Sequence, residues 1–259
     1  MSPLWRDRVE AFVGMRSVHL VRVRRGLRPR PEAALAFESG SGQGWSGVVD
    51  ALGEGLASYG PHRAEVRVVL SNHFVRYSLV PGIDTLSADD ERTALARHQF
   101  VAIHGERAAG WRVALAENGI RATGLAAAVD AELLDGLSAT VTAAGHTLRS
   151  VEPFLAAAFN ACRREIGAPG AWLAVAEPDR LCVAYLAGGA WVEVRNTRAL
   201  RGPEAELRPL LEHMRMTLGA DPGPVYVASR EPFEPELDAD WQVRAIALGG
   251  VPALEEKAA

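Results

Sequence analysis

Lysine is almost missing from this chain: of 259 residues and 28 basic side chains, only Lys257 is a lysine. Its scarcity removes a lysine-based phosphate loop and a Schiff-base amine from consideration. Cysteine is scarce too. Cys162 and Cys182 stand in apolar surroundings with no His or Cys at metal-ligand spacing, which points to buried free thiols rather than a disulfide or a zinc site. No apolar run approaches the roughly 20 residues needed to span a bilayer. The opening Ser2-Pro3-Leu4-Trp5-Arg6-Asp7-Arg8 has no apolar stretch of signal-peptide type, so a cytoplasmic location is expected.

With 48% hydrophobic residues, the chain has enough apolar material for one large or two modest cores. Its net charge of -4 hides a basic end, where Arg6, Arg8, Arg16, Arg22, Arg24, Arg25, Arg28 and Arg30 face only Asp7 and Glu10 before Pro31. Such an end suits anionic lipid headgroups, an acidic partner segment, or the solvated edge of a sheet. Nucleic acid is disfavoured, because no aromatic stacking residues are interleaved and the remainder is acidic.

Period-two alternation at Val9, Ala11 and Val13 enters a turn at Gly14-Met15-Arg16-Ser17, and Val18, Leu20, Val21 and Val23 leave it, predicting two antiparallel strands. A third strand is expected at about 31–37 and a helix at about 46–59, ended by Gly60-Pro61. The next expectation is a hairpin, with strands 65–70 and 74–80 around Ser71-Asn72-His73. A helix opens near residue 86, with Ser87 as its N-cap and Asp89, Asp90 and Glu91 in its first turn. Asn118-Gly119 marks a hairpin between strands 111–117 and 120–128. Then come helix 131–144, strand 147–151 and helix 153–165, with a boundary at Gly167-Ala168-Pro169-Gly170.

Beyond that boundary the opening pattern restarts. Strands are expected at 171–176, 181–186 and 191–196, a helix at 203–218, and strands at 224–228 and 242–248. Strand-turn-strand-strand-helix-strand therefore occurs twice, as a duplicated ribonuclease H-like fold requires.

The Gly14, Ser17, Val18, Leu20 and Val21 pattern resembles the first phosphate hairpin of type IV pilus assembly protein M (PilM) and other actin-like ATPases. The Leu79-Val80-Pro81 ending and the acidic helix after it add to the likeness. The resemblance extends to MSHA pilus protein I and to the cytoplasmic part of type II secretion protein L. It implies an α/β fold of two ribonuclease H-like, actin-like lobes with mixed β-sheets flanked by helices. The first lobe would span 1–167, with an inserted subdomain at about 65–128; the second, smaller lobe 168–250; and a disordered tail 251–259.

The chain departs from the family at three nucleotide-gripping positions. Phe12 occupies the place of the first hairpin's Asp, and a phenyl ring neither ligates a hard cation nor accepts a hydrogen bond. Glu177-Pro178-Asp179-Arg180 stands in place of the second Asp-x-Gly turn, where proline removes a donor and carboxylates repel phosphate. Ser229-Arg230-Glu231-Pro232 replaces a Gly-Gly pair. Gly14 and Ser17 then remain as vestigial phosphate-loop positions, with no cofactor and no metal expected.

An enzyme would draw on Glu177 and Asp179 as a carboxylate pair and on His98, His104 or His146 as ligands or base. Glu177 and Asp179 flank a turn and are expected to be solvated, while His98 and His104 are six apart, short of two helical turns. No Gly-x-Ser-x-Gly elbow, His-Glu-x-x-His or Walker loop is present, so no catalytic residues are assigned.

What the resemblance implies instead is a scaffold at the inner face of the inner membrane, docking the N-terminal tail of a bitopic assembly protein of a pilus or secretion platform. Membrane association would then be peripheral, through the partner, with homodimerisation left open. Phe74, Tyr77 and Trp111 are the candidates to line a peptide pocket, against ordinary core packing as the alternative. An actin-like ATP-binding switch with an unusual site is the competing reading.

Overall fold

A computed structural model of the chain describes residues 7–24, 26, 30–39, 44–60, 62–116, 123–166 and 170–248. In chain order the first elements are β1 (Asp7–Val13), β2 (Ser17–Arg24), β3 (Arg30–Pro31), β4 (Leu35–Glu38), α1 (Ser46–Ala57), β5 (Ala64–Leu70) and β6 (Val75–Pro81). Next are α2 (Asp89–His104), β7 (Trp111–Leu115), β8 (Thr123–Asp130), α3 (Ala131–Ala143), β9 (Thr147–Pro153) and α4 (Phe154–Cys162). The chain continues through β10 (Gly170–Glu177), β11 (Arg180–Ala187), β12 (Ala190–Arg198), α5 (Pro203–Leu218), β13 (Pro224–Ser229) and β14 (Gln242–Ala245). These elements form two compact units, one holding residues 7–74 and 130–154 and the other 75–129 and 155–248. Residues 75–129, the greater part of the segment expected as an insertion at about 65–128, thus fall in the second unit, and residues 65–74 in the first.

Unit 1 is built on a sheet of order β3-β2-β1-β5-β9, with β4 also on β2. β1 runs antiparallel to β2, pairing Val13 with Val18 and Val9 with Arg22, and parallel to β5, pairing Val13 with Leu70. That register puts Val9, Ala11, Val13, Val18, Leu20, Val66, Val68 and Leu70 on one face, all but excluded from solvent. Helices α1 and α3 pack against each other, with α1 on β2 and β4 and α3 on β9. They bury Leu52, Leu56, Leu133, Leu137 and Val141. Each such side chain contributes about 1.5–3 kcal/mol on full burial. Helix α1 approaches so closely at Gly55 that a Cβ there would lie 2.1 Å from Leu20 Cδ1. The Asp130 carboxylate caps α3 by accepting from the Glu132 N–H at 3.0 Å.

After α3, Gly145 takes φ 79° and the chain turns into β9 through His146. His146 is 6% exposed, and its Nδ1 accepts the Ala64 N–H at 3.2 Å at the start of β5. Burial lowers its pKa below the usual histidine value; the Leu56 backbone opposes this and the Arg22 charge adds to it.

Three arginines of the basic end pair with carboxylates, Arg22 in the interior and Arg8 and Arg24 at the surface. Arg22, itself buried, pairs with Asp7 and donates to the Tyr59 carbonyl, Arg8 pairs with Glu10, and Arg24 with Glu32. Residues 1–6, Arg25 and residues 27–29 of that end lie outside the described residues.

Unit 2 repeats the strand order as β12-β11-β10-β13-β14. β10 is antiparallel to β11 and parallel to β13, as β1 is to β2 and β5. One face packs on α5, with Trp172, Ala174, Leu181, Val183, Val225 and Val227 meeting Leu207, Leu211 and Met214. Pro203 starts α5 where an amide would be orphaned in any case, and Gly219 at φ 63° ends it. The other face buries Leu173, Val175, Cys182, Tyr226 and Ala228. There Phe159 of α4 meets Trp191 at 4.9 Å, and the Tyr226 hydroxyl donates to the Glu165 carbonyl at 2.6 Å. Both cysteines are buried free thiols, and desolvation pushes Cys162 up to about 11 and Cys182 well above its ordinary value.

A separate three-stranded sheet, β6-β8-β7, packs against α2 around Val80, Phe100, Ala126 and Ala128. It is stitched to the five-stranded sheet by Asn196 of β12, whose Nδ2 donates to the Val75 carbonyl at 3.1 Å.

Three local expectations need correction. β5 and β6 are not a hairpin: β5 sits between β1 and β9, whereas β6 pairs with β8, so the chain changes sheet at residues 71–74. Ser87 is not the cap of α2; Ala88 holds that position without a side-chain bond, and Arg92 Nε donates instead to the Leu86 carbonyl. The third strand is split into β3 and β4, both on β2. The Asn118-Gly119 turn, the 167–169 boundary and the tail 251–259 lie outside the described residues.

Candidate functional site

Parallel α/β sheets place ligands beyond the carboxyl ends of their strands. In unit 1 that edge is the turn from β1 into β2. Gly14 donates its N–H to the Ser17 carbonyl at 2.9 Å, and a Cβ at Gly14 would sit 3.0 Å from that oxygen, so the turn suits glycine. Ser39, just past β4, donates from its N–H to the Arg16 carbonyl and from its hydroxyl to the Met15 carbonyl. The Ser17 hydroxyl shares a hydrogen bond with His19 Nε2 at 2.8 Å. Its side chain thus has a partner within the hairpin.

Phe12 is 4% exposed and meets the buried Phe154 edge-on, ring centroids 5.2 Å apart and planes at 77°. It fills core space, as its apolar neighbours require. An aspartate at this position would have to bury its carboxylate against a phenyl ring.

The matching edge of unit 2 is the β10–β11 turn, closed by the Glu177 to Arg180 pair around Pro178-Asp179. Here the expectation of a solvated Glu177 is overturned: the residue is only 7% exposed. Two arginines lie within its electrostatic reach. Burial draws the Arg180 guanidinium below its ordinary pKa, with Glu177 and Asp179 opposing and Arg76 and Arg198 adding to the shift. Burial likewise takes Arg230 down to about 10, against the pull of Glu231 and Glu177. Arg180 Nη1 also donates to Asn196 Oδ1 at 3.2 Å. Past β13, the Ser229 hydroxyl accepts the Glu231 N–H at 3.2 Å.

This cluster was not legible as a unit in the sequence. Asn196 carries no motif, and only sheet pairing brings it beside Arg180.

The three peptide-pocket candidates are not brought together. Trp111 points into the α2 cluster, 6.1 Å from Phe100 and 5.0 Å from His104 between ring centroids. Tyr77 points away from that cluster and bonds to the Leu155 backbone; desolvation, then the Cys182 and Glu177 charges, push its pKa well above the tyrosine value. Phe74, half-buried, closes the turn after β5 by donating its N–H to the Ser71 carbonyl at 3.1 Å. Among the described residues no group of three or more His, Cys, Asp or Glu side chains is arranged to hold a metal ion. No described helix is long and apolar enough to cross a membrane.

Two units that repeat one strand order, each with a first hairpin at its ligand-facing edge, define the actin-like class. The chain has the actin-like ATPase fold, in the form shared by PilM and the EpsL cytoplasmic domain. No protein-family model and no curated protein sequence matches it. Among solved structures it is similar to the cytoplasmic domain of EpsL, an inner membrane component of the type II secretion system of Vibrio cholerae. That likeness has a TM-score of 0.60 at 14% identity, covering 92% of this chain and 88% of that one. It is similar to the PilM-PilN type IV pilus biogenesis complex at a TM-score of 0.61 and 17% identity, covering 86% and 81%. A Bacteroides thetaiotaomicron protein with an actin-like ATPase fold and unknown function gives a TM-score of 0.62 at 8% identity, covering 90% and 86%.

Proposed function

We propose that this chain is an assembly scaffold of a type IV pilus or type II secretion-like inner-membrane platform. In this reading it binds the short N-terminal tail of a bitopic membrane partner and does not hydrolyse ATP. The observation that carries it is likeness of fold along nearly the whole chain to two such assembly proteins, the EpsL cytoplasmic domain and PilM. The filled ends of β1 and β10 support the second half of the reading. Phe12 supplies no oxygen for a hydrated Mg²⁺, and Pro178 removes a backbone donor from the second turn.

Affinity for a tail would come from an extended peptide pairing through its backbone, with side-chain pockets adding selectivity. The segment at about 65–128 is the candidate for that contact.

The test is cross-linking in the native host with a tagged chain, followed by mass spectrometry of the membrane fraction. The expected result is a single-pass membrane protein whose cytoplasmic tail is joined to residues of that segment. Recovery of soluble metabolic enzymes alone would contradict the reading. The competing ATP-binding switch is favoured by one observation, the intact Gly14 to Ser17 turn.

A further inference from the structure

Unit 2 holds a cavity of about 330 Å³ at the end of its sheet opposite the Glu177 to Arg180 turn, and every residue lining it belongs to that unit. Gly170 and Pro224, which begin β10 and β13, form part of its wall. From there β10 runs about 23 Å to Glu177, at 3.3 Å per residue, so the cavity is remote from the filled strand ends. Its volume lies at the lower limit for ligand pockets, which suits a molecule of amino-acid size.

The floor of the cavity is aromatic. Tyr185 lies against the buried Trp172, with ring centroids 4.5 Å apart and planes at 36°. A Cβ at Gly170 would fall 2.5 Å from the Tyr185 hydroxyl, so a glycine at the start of β10 leaves that ring its place. Among the described residues the Tyr185 hydroxyl has no hydrogen-bond partner.

Exposed side chains of both charges line the same cavity. Arg244 is held by a relay: its Nη1 donates to the Tyr226 hydroxyl at 3.0 Å, and that hydroxyl donates to the Glu165 carbonyl at 2.6 Å. The remaining guanidinium donors face no carboxylate at ion-pair distance among the described residues. Asp221 and Glu165 contribute carboxylates that likewise have no cationic partner among the described residues. The Trp172 Nε1–H donates to the Asp221 carbonyl at 3.4 Å, which ties the Asp221 backbone to the aromatic floor.

A purely anionic ligand would meet two carboxylates here, and a purely cationic one would meet the guanidinium. A ligand bearing both charges finds a partner for each. We propose that this cavity binds a small zwitterion with a planar apolar body, an aromatic α-amino acid. The ligand carboxylate pairs with Arg244, its ammonium with the Asp221 and Glu165 carboxylates, and its ring lies on Tyr185. Nothing in this proposal depends on the scaffold reading.

The experiment is isothermal titration calorimetry of the full chain with L-phenylalanine. Saturable binding is expected. Three controls should each bind at least about tenfold more weakly: 3-phenylpropionate, which lacks the ammonium, phenethylamine, which lacks the carboxylate, and L-alanine, which lacks the ring. Arg244→Gln should weaken phenylalanine binding by about tenfold or more without weakening that of phenethylamine. The double change Glu165→Gln and Asp221→Asn should weaken phenylalanine binding by a similar factor without weakening that of 3-phenylpropionate.

If a variant unfolds, as read by circular dichroism, hydrogen exchange on the wild-type chain decides instead: the amides from Gly170 to Trp172 and that of Val225 should slow when phenylalanine is added. No saturable binding of phenylalanine, a control that binds as tightly, unchanged phenylalanine affinity in either folded variant, or slowing confined to other strands would overturn the proposal.

Discussion

Units 1 and 2 use the same strand order and end their first strand in opposite ways. At the end of β1, the Phe12 ring packs edge-on to Phe154, and the turn beyond it is closed by Gly14, Ser17 and Ser39. At the end of β10 stands a buried carboxylate, Glu177, with Arg180 and Arg230 in reach of its charge. One strand end is filled by an aromatic ring, the other by an ionised side chain. The same topological position can thus be filled by packing or by charge, and the two fillings respond to different perturbations. Packing is lost when volume is removed. An ion cluster is lost when one charge is removed, because the partners stay desolvated.

The largest expected effect is on the apolar side. Phe12→Ala removes a buried ring from a site that cannot fully collapse, and should cost about 3–5 kcal/mol of unit 1 stability in urea unfolding. A loss below about 1 kcal/mol would mean that the ring is not core filling.

Glu177→Gln should come next, costing about 1–3 kcal/mol in unit 2, since Arg180 and Arg230 keep their burial and lose a counter-charge. Followed by urea unfolding, an unchanged midpoint would show that solvent already balances both arginines.

The smallest effect is a pH dependence confined to unit 1. The folded-state pKa of His146 is lowered, so the unfolded chain binds its proton first as acid is added. This contribution is fully present above the ordinary histidine value of about 6.5 and is lost as pH falls from there through the folded pKa, with a slope of at most about 1.4 kcal/mol per pH unit. Hydrogen exchange of the α3 and β5 amides between neutral and mildly acidic pH reads it, and His146→Gln should flatten the slope. A slope that persists in that variant would assign the effect to another group.

Elements whose signals are local were legible in the sequence. Helix α5 has Pro203 at its start and Gly219 at its end, and its bounds match those expected. The alternation of β1 and β2 likewise sufficed to find an antiparallel strand pair around the Gly14 to Ser17 turn. Features set by distant partners were not legible in this way. Ser71-Asn72-His73 has the composition of a hairpin turn, yet β5 is held by β1 and β9, so the hydrophobic pattern of the whole sheet overrides the local turn. Glu177 beside Pro178 and Asp179 has the look of a solvated turn, and its burial brings it near Arg230, more than 50 residues away in sequence. Tyr77 and Trp111 each look like pocket residues, but strand phase sends Trp111 into the α2 cluster and Tyr77 away from it.

The scaffold proposed above binds no nucleotide, and thermal unfolding of the full chain with and without Mg-ATP is its sharpest test. The account predicts an unchanged midpoint at millimolar Mg-ATP. A ligand present at one hundred times its dissociation constant would stabilise by about 2.7 kcal/mol, and an upward shift of that size that vanishes without nucleotide would contradict the account.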